Sequence, residues 1–386
     1  LASTALIVVP DTVAALQTLA NKVRRESGSA VVAVTGSAGK STTKEITAWL
    51  LAARYKVFRN RGNLNNHIGL PLSLLELRNK PDIGVFELGM NHRGEISVLV
   101  RIAEPEVRVW TNVGSAHLEF FGTVEAVAEA KSEILEGADR DTLLVANADD
   151  DLVMRHAGRF AGRVRTFGVE RPADVRALAV QDFGIDGTAA LIRTPIGEAE
   201  LRMPLPGVAN LSNLLAAVAV AIRFDIPLSD IVERACGLIP VARRGEVLRL
   251  RGVTIVDDSY NSNPQALSRA LTMLAADAKF PRRVAVLGEM LELGEASTNL
   301  HRSAGEEAAR AGLAVLIAVG GVGARALAEG AVSAGMPAAS VIYVEDSQQA
   351  AEAARAVVKP GDLILVKGSR GIRTEVVVDR LKAEFA

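Results

Sequence analysis

The sequence predicts an α/β protein built on two open, mainly parallel sheets. Apolar strands alternate with helix-like segments along nearly the whole chain, and those strands are continuous apolar runs, which suit a sheet covered on both faces. The strand series also restarts after Pro240, which follows a helix. At 386 residues the chain exceeds the ~100–200 of one ordinary domain and allows two or three cores.

Taken in order, residues 5–9 read as a short strand, and Asp11 as the N-cap of a helix with Val13, Leu16, Leu19 and Ala20 on one face. Residues 30–35 are an apolar strand that runs through a glycine turn into a helix from Ser41 to Ala53, the opening of an α/β unit. Further strands fall at 83–88, 107–112, 143–147 and 164–167. Between about 173 and 205, alternation broken by Asp186-Gly187 and Pro195-Ile196-Gly197 predicts short antiparallel strands, followed by an apolar helix over 210–224. The second series begins at 253–258 and continues at 284–287, 315–319, 341–344 and 363–366, with alanine-rich helices between, a Rossmann-like open parallel sheet. A hinge is expected near 240–245.

Lys plus Arg total 44 against 45 Asp plus Glu, so composition supplies no basic face, and nucleic acid is not an expected partner. Ordinary Gly and Pro usage with 49% hydrophobic residues excludes a low-complexity chain. The single cysteine, Cys236, cannot form an internal disulfide, and no Cys/His spacing suits a metal, which fits a reducing cytoplasm. The longest apolar runs, such as Leu214 to Ile222, fall short of the ~20 residues that cross a bilayer, so no membrane partner is expected.

The most informative segment is Gly36-Ser37-Ala38-Gly39-Lys40-Ser41-Thr42. Its glycines let backbone N–H groups and the following helix N-terminus point at phosphate oxygens, with Lys40 near the terminal phosphates and Ser41 as a Mg2+ ligand. The pattern is the short form Gly-x-x-Gly-Lys-Ser, since position 34 is Val where the longer form has Gly. A nucleotide-binding unit is the expectation. Glu87, at the carboxyl end of an apolar strand, is either a Mg2+ ligand or a capping or salt-bridged glutamate. His117 and Lys131 read by themselves as an ordinary hydrogen-bonded histidine and a solvated helix lysine. Asn210 and Asn213, one turn apart on an apolar helix, either cap it or contact a base. Gly320-Gly321-Val322-Gly323 reads as a tight turn.

As an ordered set, the strings Thr35-Gly-Ser-Ala-Gly-Lys-Ser-Thr42, Gly62-Asn-Leu-Asn-Asn-His-Ile-Gly69, Glu87-Leu-Gly-Met-Asn-His92, Gly114-Ser-Ala-His-Leu-Glu119, Asp257-Asp-Ser-Tyr-Asn-Ser-Asn-Pro264, Gly288-Glu-Met-Leu-Glu-Leu-Gly294 and Lys367-Gly-Ser-Arg370 resemble the Mur ligase family. The Asp-Ser-Tyr-Asn and Lys-Gly-Ser-Arg strings favour the branch that adds D-alanyl-D-alanine to UDP-N-acetylmuramoyl-tripeptide. The resemblance implies ATP-driven amide formation through an acyl phosphate, and a monomer is expected. Ser41 and Glu87 would hold one Mg2+ and His117 a second, while Lys131 matches a lysine that CO2 converts to a carbamate, an oxygen ligand. Asn210, Asn213, Arg244 and Asp258 match ATP-side residues. Asn65, Asn66, Ser115, Tyr260, Asn261, Asn263, Glu289, His301, Lys367 and Arg370 are expected to line the peptide-substrate side.

The implied organisation is a remnant of a UDP-sugar-binding domain at 1–27, a central ATP-binding domain at 28–242 and a C-terminal Rossmann-like domain at 243–386; with only that remnant, weak binding of the UDP-linked substrate is expected. Two departures stand out: Ala209-Asn210 replaces the usual His-Asn, and Arg243-Arg244 replaces Gly-Arg, which stiffens the hinge because φ is restricted at Arg. The competing readings are a folylpolyglutamate or cyanophycin synthetase-like amide ligase, and a nucleotide-binding module without turnover.

Overall fold

A computed structural model describes residues 6–115 and 118–385. Nine strands form the first sheet: β1 (Ala30–Thr35), β2 (Val57–Arg59), β3 (Ile83–Glu87), β4 (Val107–Trp110), β5 (Leu143–Asn147), β6 (Arg163–Gly168), β7 (Val175–Asp182), β8 (Thr188–Thr194) and β9 (Gly197–Met203). Their spatial order is β2-β3-β1-β4-β5-β6-β7-β8-β9, parallel from β2 to β7 and antiparallel thereafter. The order reverses at β1, whose neighbours are β3 and β4, and ligands of open α/β sheets bind outside the strand carboxyl ends at such a point.

Both faces of this sheet are buried, which is why its central strands are apolar without alternation. Val32 and Val34 of β1 face Ile46, Leu50 and the helix Val208–Arg223, whereas Val31 and Ala33 face Leu70, Leu99 and Val127 on the other side. The helix Val208–Arg223 is buried from Leu214 to Ile222, covered by both the sheet and the helix Lys40–Leu51. Each large aliphatic side chain buried there contributes about 1.5–3 kcal/mol.

The second sheet comprises β10 (Glu246–Leu250), β11 (Val253–Asp258), β12 (Arg283–Gly288), β13 (Val315–Val319), β14 (Val341–Val344) and β15 (Leu363–Lys367), in the order β10-β11-β15-β12-β13-β14. Apolar side chains of β11, β12 and β15 alternate between two helical layers. The sheet is not wholly parallel: β10 pairs antiparallel with β11 as an edge strand. Its half-buried residues lack the apolar continuity that marks the others.

At the start of the described chain, residues 6–9 form no strand, contrary to expectation. Leu6, Ile7 and Val8 are exposed, and an apolar stretch without a neighbouring edge has no ladder to join. The helix after them is as expected, Thr12–Ser27, with Asp11 accepting hydrogen bonds from Val13 and Ala14.

Among the described residues, the two halves of the molecule touch at the β7–β8 hairpin and near the phosphate loop. The β7–β8 hairpin tip inserts Ile185 among Val256, Leu267 and Leu271, and Asp186 pairs with Arg249 and Lys279. Nearer the phosphate loop, Gln265 packs against Gly114 and the Glu119 N–H donates to the Glu292 carbonyl. No helix among the described residues is long and apolar enough to cross a membrane.

Candidate active site

Between β1 and the helix Lys40–Leu51 the chain turns through Gly36 at φ 148° and Gly39 at φ 81°. A Cβ on Gly36 would lie 1.9 Å from Thr111 Oγ1, and one on Gly39 2.3 Å from Asn213 Oδ1, so neither position admits a side chain. The helix begins without a side-chain cap, leaving its first N–H groups and positive dipole end to meet an anion.

The loop is splinted from β4. The Ala38 N–H donates to Asn112 Oδ1 at 2.9 Å, while Thr111 Oγ1 and Asn112 Nδ2 donate to the Ala38 carbonyl at 2.7 and 3.1 Å. Gly114 N–H donates to Ser37 Oγ at 2.9 Å. Strand β4 therefore ends at Trp110, two residues earlier than its apolar run predicts, because Thr111 and Asn112 turn their hydrogen bonds to the loop. Sequence reading missed both residues. The available signal was a Thr-Asn pair at a strand's carboxyl end beside the switch point.

Lys40 curls back, its Nζ donating to the Gly36 carbonyl at 2.8 Å. Ser41 Oγ donates to Glu87 Oε2 at 2.5 Å, and Asn65 Nδ2 donates to Glu87 Oε1 at 2.9 Å. Burial pushes the Glu87 carboxyl up, but Lys40, Ser41, Arg244 and Asn65 together outweigh it and hold the group below the usual carboxylate range. Glu87 is thus a buried, ionised oxygen donor rather than a helix cap. Burial pushes the Lys40 ammonium below the ordinary lysine value; Glu87 opposes that shift and Arg244 adds to it. Thr42 follows in the first turn, half-buried.

Ser41 Oγ and Glu87 Oε2 lie side by side, hard oxygens of the kind that Mg2+ prefers. Among the described residues no group of three or more His, Cys, Asp and Glu converges. A cation here would complete its shell with nucleotide oxygens and water, the usual habit of Mg2+. Lys131, on the helix Val124–Ser132, is only 1% exposed. Burial and then the positive charge of Lys40 push its amine well below the ordinary lysine value, with Glu87 pulling the other way. It is not the solvated helix lysine that its local sequence suggests.

Asn213 contacts Gly39 and accepts from Thr43 Oγ1 at 3.2 Å, forming one wall of the loop. Asn210 instead fastens the helix start through the Pro206 carbonyl at 2.8 Å.

Across the cleft, Asp258 and Lys367 end the neighbouring strands β11 and β15 and pair at 2.6 Å; Lys367 also donates to the Asn261 carbonyl at 3.0 Å. The Tyr260 ring lies between the Arg244 and Arg370 guanidinium groups, 3.9 and 5.2 Å from its centroid. Arg244 stands close enough to the loop for its charge to act on both Lys40 and Glu87. Ser115, half-buried, follows Gly114 beside Gln265.

Several expected substrate contacts have other work. Asn263 caps the helix Pro264–Ala276, accepting from Ala266 N–H at 2.9 Å, and Asn66 holds the turn that leads into the helix Gly69–Leu74, accepting from Gly69 N–H at 2.8 Å. Glu289 accepts from Gly321 and Gly323 N–H at 2.9 and 2.8 Å, binding the glycine turn. His301 is fully buried, and both ring nitrogens are engaged: Nδ1 donates to the Ser297 carbonyl at 2.7 Å and Nε2 accepts from Met290 N–H at 2.8 Å. It shapes the 289–291 turn and is closed to a ligand. A cavity of about 800 Å3 lined by Arg24, Arg108, Glu106 and Asp139 lies at the amino ends of the strands, away from this chemistry.

Family comparison bears on the same elements. Residues 34–221 match the Mur ligase middle domain, and residues 243–370 match the Mur ligase glutamate ligase domain. The chain belongs to the Mur ligase family. It is 33% identical over 378 residues to the UDP-N-acetylmuramoyl-tripeptide--D-alanyl-D-alanine ligase of Bacillus subtilis, covering 98% of this chain and 81% of that one. Among solved structures, MurF from Acinetobacter baumannii superposes with a TM-score of 0.89 at 30% identity, covering 98% of this chain and 82% of the other. MurF ligase from Thermotoga maritima in complex with ADP gives 0.88 at 30% identity, covering 100% and 86%.

In this Mur ligase, Arg243 occupies the place where the resemblance expects glycine, and its φ of 63° lies in the left-handed region. Three contacts hold it there: an ion pair with Glu375 at 3.2 Å, its N–H on Glu246 Oε2, and its carbonyl accepting from Tyr260 N–H at 3.0 Å. The same segment presents Arg244 to Tyr260. His117, the expected second-metal ligand, lies outside the described residues.

Proposed function

We propose that this Mur ligase joins D-alanyl-D-alanine to UDP-N-acetylmuramoyl-tripeptide, converting ATP to ADP and phosphate in peptidoglycan precursor synthesis. The observation that carries the reading is the convergence of Lys40, Ser41 and Glu87 on an open helix N-terminus, in a chain whose relatives bear that ligase name over nearly its whole length.

The loop N–H groups and Lys40 orient the ATP phosphates, with Arg244 reaching them from the other side. The tripeptide carboxylate attacks the γ-phosphorus; a carboxyl O–P bond forms as the bond to the ADP oxygen breaks. The free amine of D-alanyl-D-alanine then attacks the acyl carbon, phosphate departs, and the nitrogen loses a proton. The protein's share is positioning and charge compensation, which dominate phosphoryl transfer. Mg2+, when held by Ser41 and Glu87, supplies further neutralisation of the phosphate oxygens.

Lys131 has a further part in this reading. Carbamate formation needs a neutral amine: the nitrogen attacks CO2 and releases one proton, leaving an anionic oxygen donor in place of a cation. Burial and the Lys40 charge both favour the neutral amine, which supports Lys131 as a carbamate ligand for a second Mg2+, to which the family resemblance also assigns His117. Because ATP and UDP-linked precursors are cytoplasmic, the reaction is assigned there.

The test is phosphate release with each reactant omitted in turn. Release is expected only when ATP, UDP-N-acetylmuramoyl-tripeptide and D-alanyl-D-alanine are all present. Turnover with L-glutamate as acceptor in place of the dipeptide would assign the chain to a folylpolyglutamate-like activity. ATP binding without release under any combination would leave a nucleotide-binding module.

A further inference from the structure

Asn60, directly after β2, has no exposed surface, yet every polar group it carries is engaged. Its N–H donates to the Val85 carbonyl, and its side-chain Oδ1 accepts from the Glu87 N–H at 3.1 Å. Its Nδ2 donates to the Leu64 carbonyl at 3.0 Å, and its own carbonyl accepts from Lys44 Nζ at 2.6 Å. Lys44 is 2% exposed and lies one helical turn beyond Lys40. The residue after Leu64 is Asn65, whose amide holds Glu87 Oε1 and whose carbonyl accepts from Gly89 N–H at 2.9 Å. The Asn60 side chain therefore ties the end of β3 to the loop that carries Asn65, while its main-chain carbonyl is fastened to the phosphate-loop helix through Lys44.

We infer that Asn60, tethered by Lys44, is a positioning residue for Glu87. It fixes the Glu87 backbone directly and the Glu87 carboxylate through Asn65, so that Oε2 stays turned toward Ser41. A carboxylate free to rotate about its last side-chain bonds would meet a cation less often in the productive orientation. Outer partners of this kind typically change metal affinity by about 10–100-fold. The inference rests on Glu87 being the Mg2+ ligand proposed above.

Calorimetric titration of ADP with and without Mg2+ tests it without either peptide substrate. In Asn60→Ala the gain in ADP affinity that Mg2+ confers should shrink about tenfold, while metal-free ADP binding stays at the wild-type level, because the loop and Lys40 are untouched. Lys44→Met, which keeps the aliphatic stem, should shift the same quantity in the same direction and supplies the test if Asn60→Ala fails to fold. A lowered melting temperature with unchanged Mg2+ dependence in both variants would make this pair structural only and overturn the inference. Wild-type protein that shows no Mg2+-dependent gain would instead overturn the metal role of Glu87, a separate failure.

Discussion

Lys131→Ala abolishes ligation, with kcat reduced by on the order of a thousandfold or more, and short carboxylates such as formate or acetate restore part of it. The expectation follows from position and charge together. The side chain is almost fully buried, and desolvation and then the Lys40 charge push its amine well below the ordinary lysine value, with Glu87 pulling the other way. A shift in that direction favours the amine form that carbamate formation requires. Alanine removes that oxygen donor and leaves room for a small acid to replace it. The substitution keeps a strong helix former within the helix Val124–Ser132, so loss of folding is not the anticipated cause; a melting curve checks this. Unchanged turnover in Lys131→Ala, or loss of activity with no recovery at any carboxylate concentration, contradicts the carbamate role.

Lys40→Met carries the second large effect. The substitution keeps the length and apolar stem of the side chain and removes only the charge next to Gly36 and Glu87. If that charge compensates the transferring phosphoryl group, its loss falls on kcat, by about 10²–10³-fold or more, because the interaction is stronger in the transition state than with bound ATP. Steady-state kinetics separates the outcomes. A fall in kcat with a smaller change in the KM for ATP is expected, whereas a raised KM with kcat preserved would assign Lys40 to uniform nucleotide binding. Lys40→Arg should not rescue, since a planar guanidinium cannot follow the curl that brings Nζ over the loop.

The central strands were legible in the sequence because a sheet buried on both faces leaves a continuous apolar run, as in β1, β5 and β13. Where burial is partial the signal fades. Val57–Arg59 is three residues long and Glu246–Leu250 has no fully buried residue, and neither was anticipated. Residues 6–9 erred in the opposite direction, since apolar composition makes no strand without an edge to pair with.

The site divides in the same way. The phosphate loop and Glu87 declare themselves through residue type and strand–turn–helix context. Asn60, Lys44, Thr111 and Asn112 act through backbone groups distant in sequence; nothing local marks the first two, and the last two carry only the signal of a Thr-Asn pair at a strand's carboxyl end. Asn66, Asn263 and His301 show the converse: polar residues inside well-matched motifs whose hydrogen bonds go to helix ends and a turn. A motif places a residue near the chemistry, and only the hydrogen-bond partners say whether it faces the ligand.

In the proposed mechanism the tripeptide carboxylate is activated by direct attack on ATP at the Lys40–Glu87 site. Labelling the terminal carboxylate of UDP-N-acetylmuramoyl-tripeptide with 18O and analysing the released phosphate by mass spectrometry tests it most directly. One labelled oxygen should appear in the inorganic phosphate for each molecule ligated to D-alanyl-D-alanine, because that oxygen leaves with phosphorus when the amide forms. Ligation that yields unlabelled phosphate would contradict the claim.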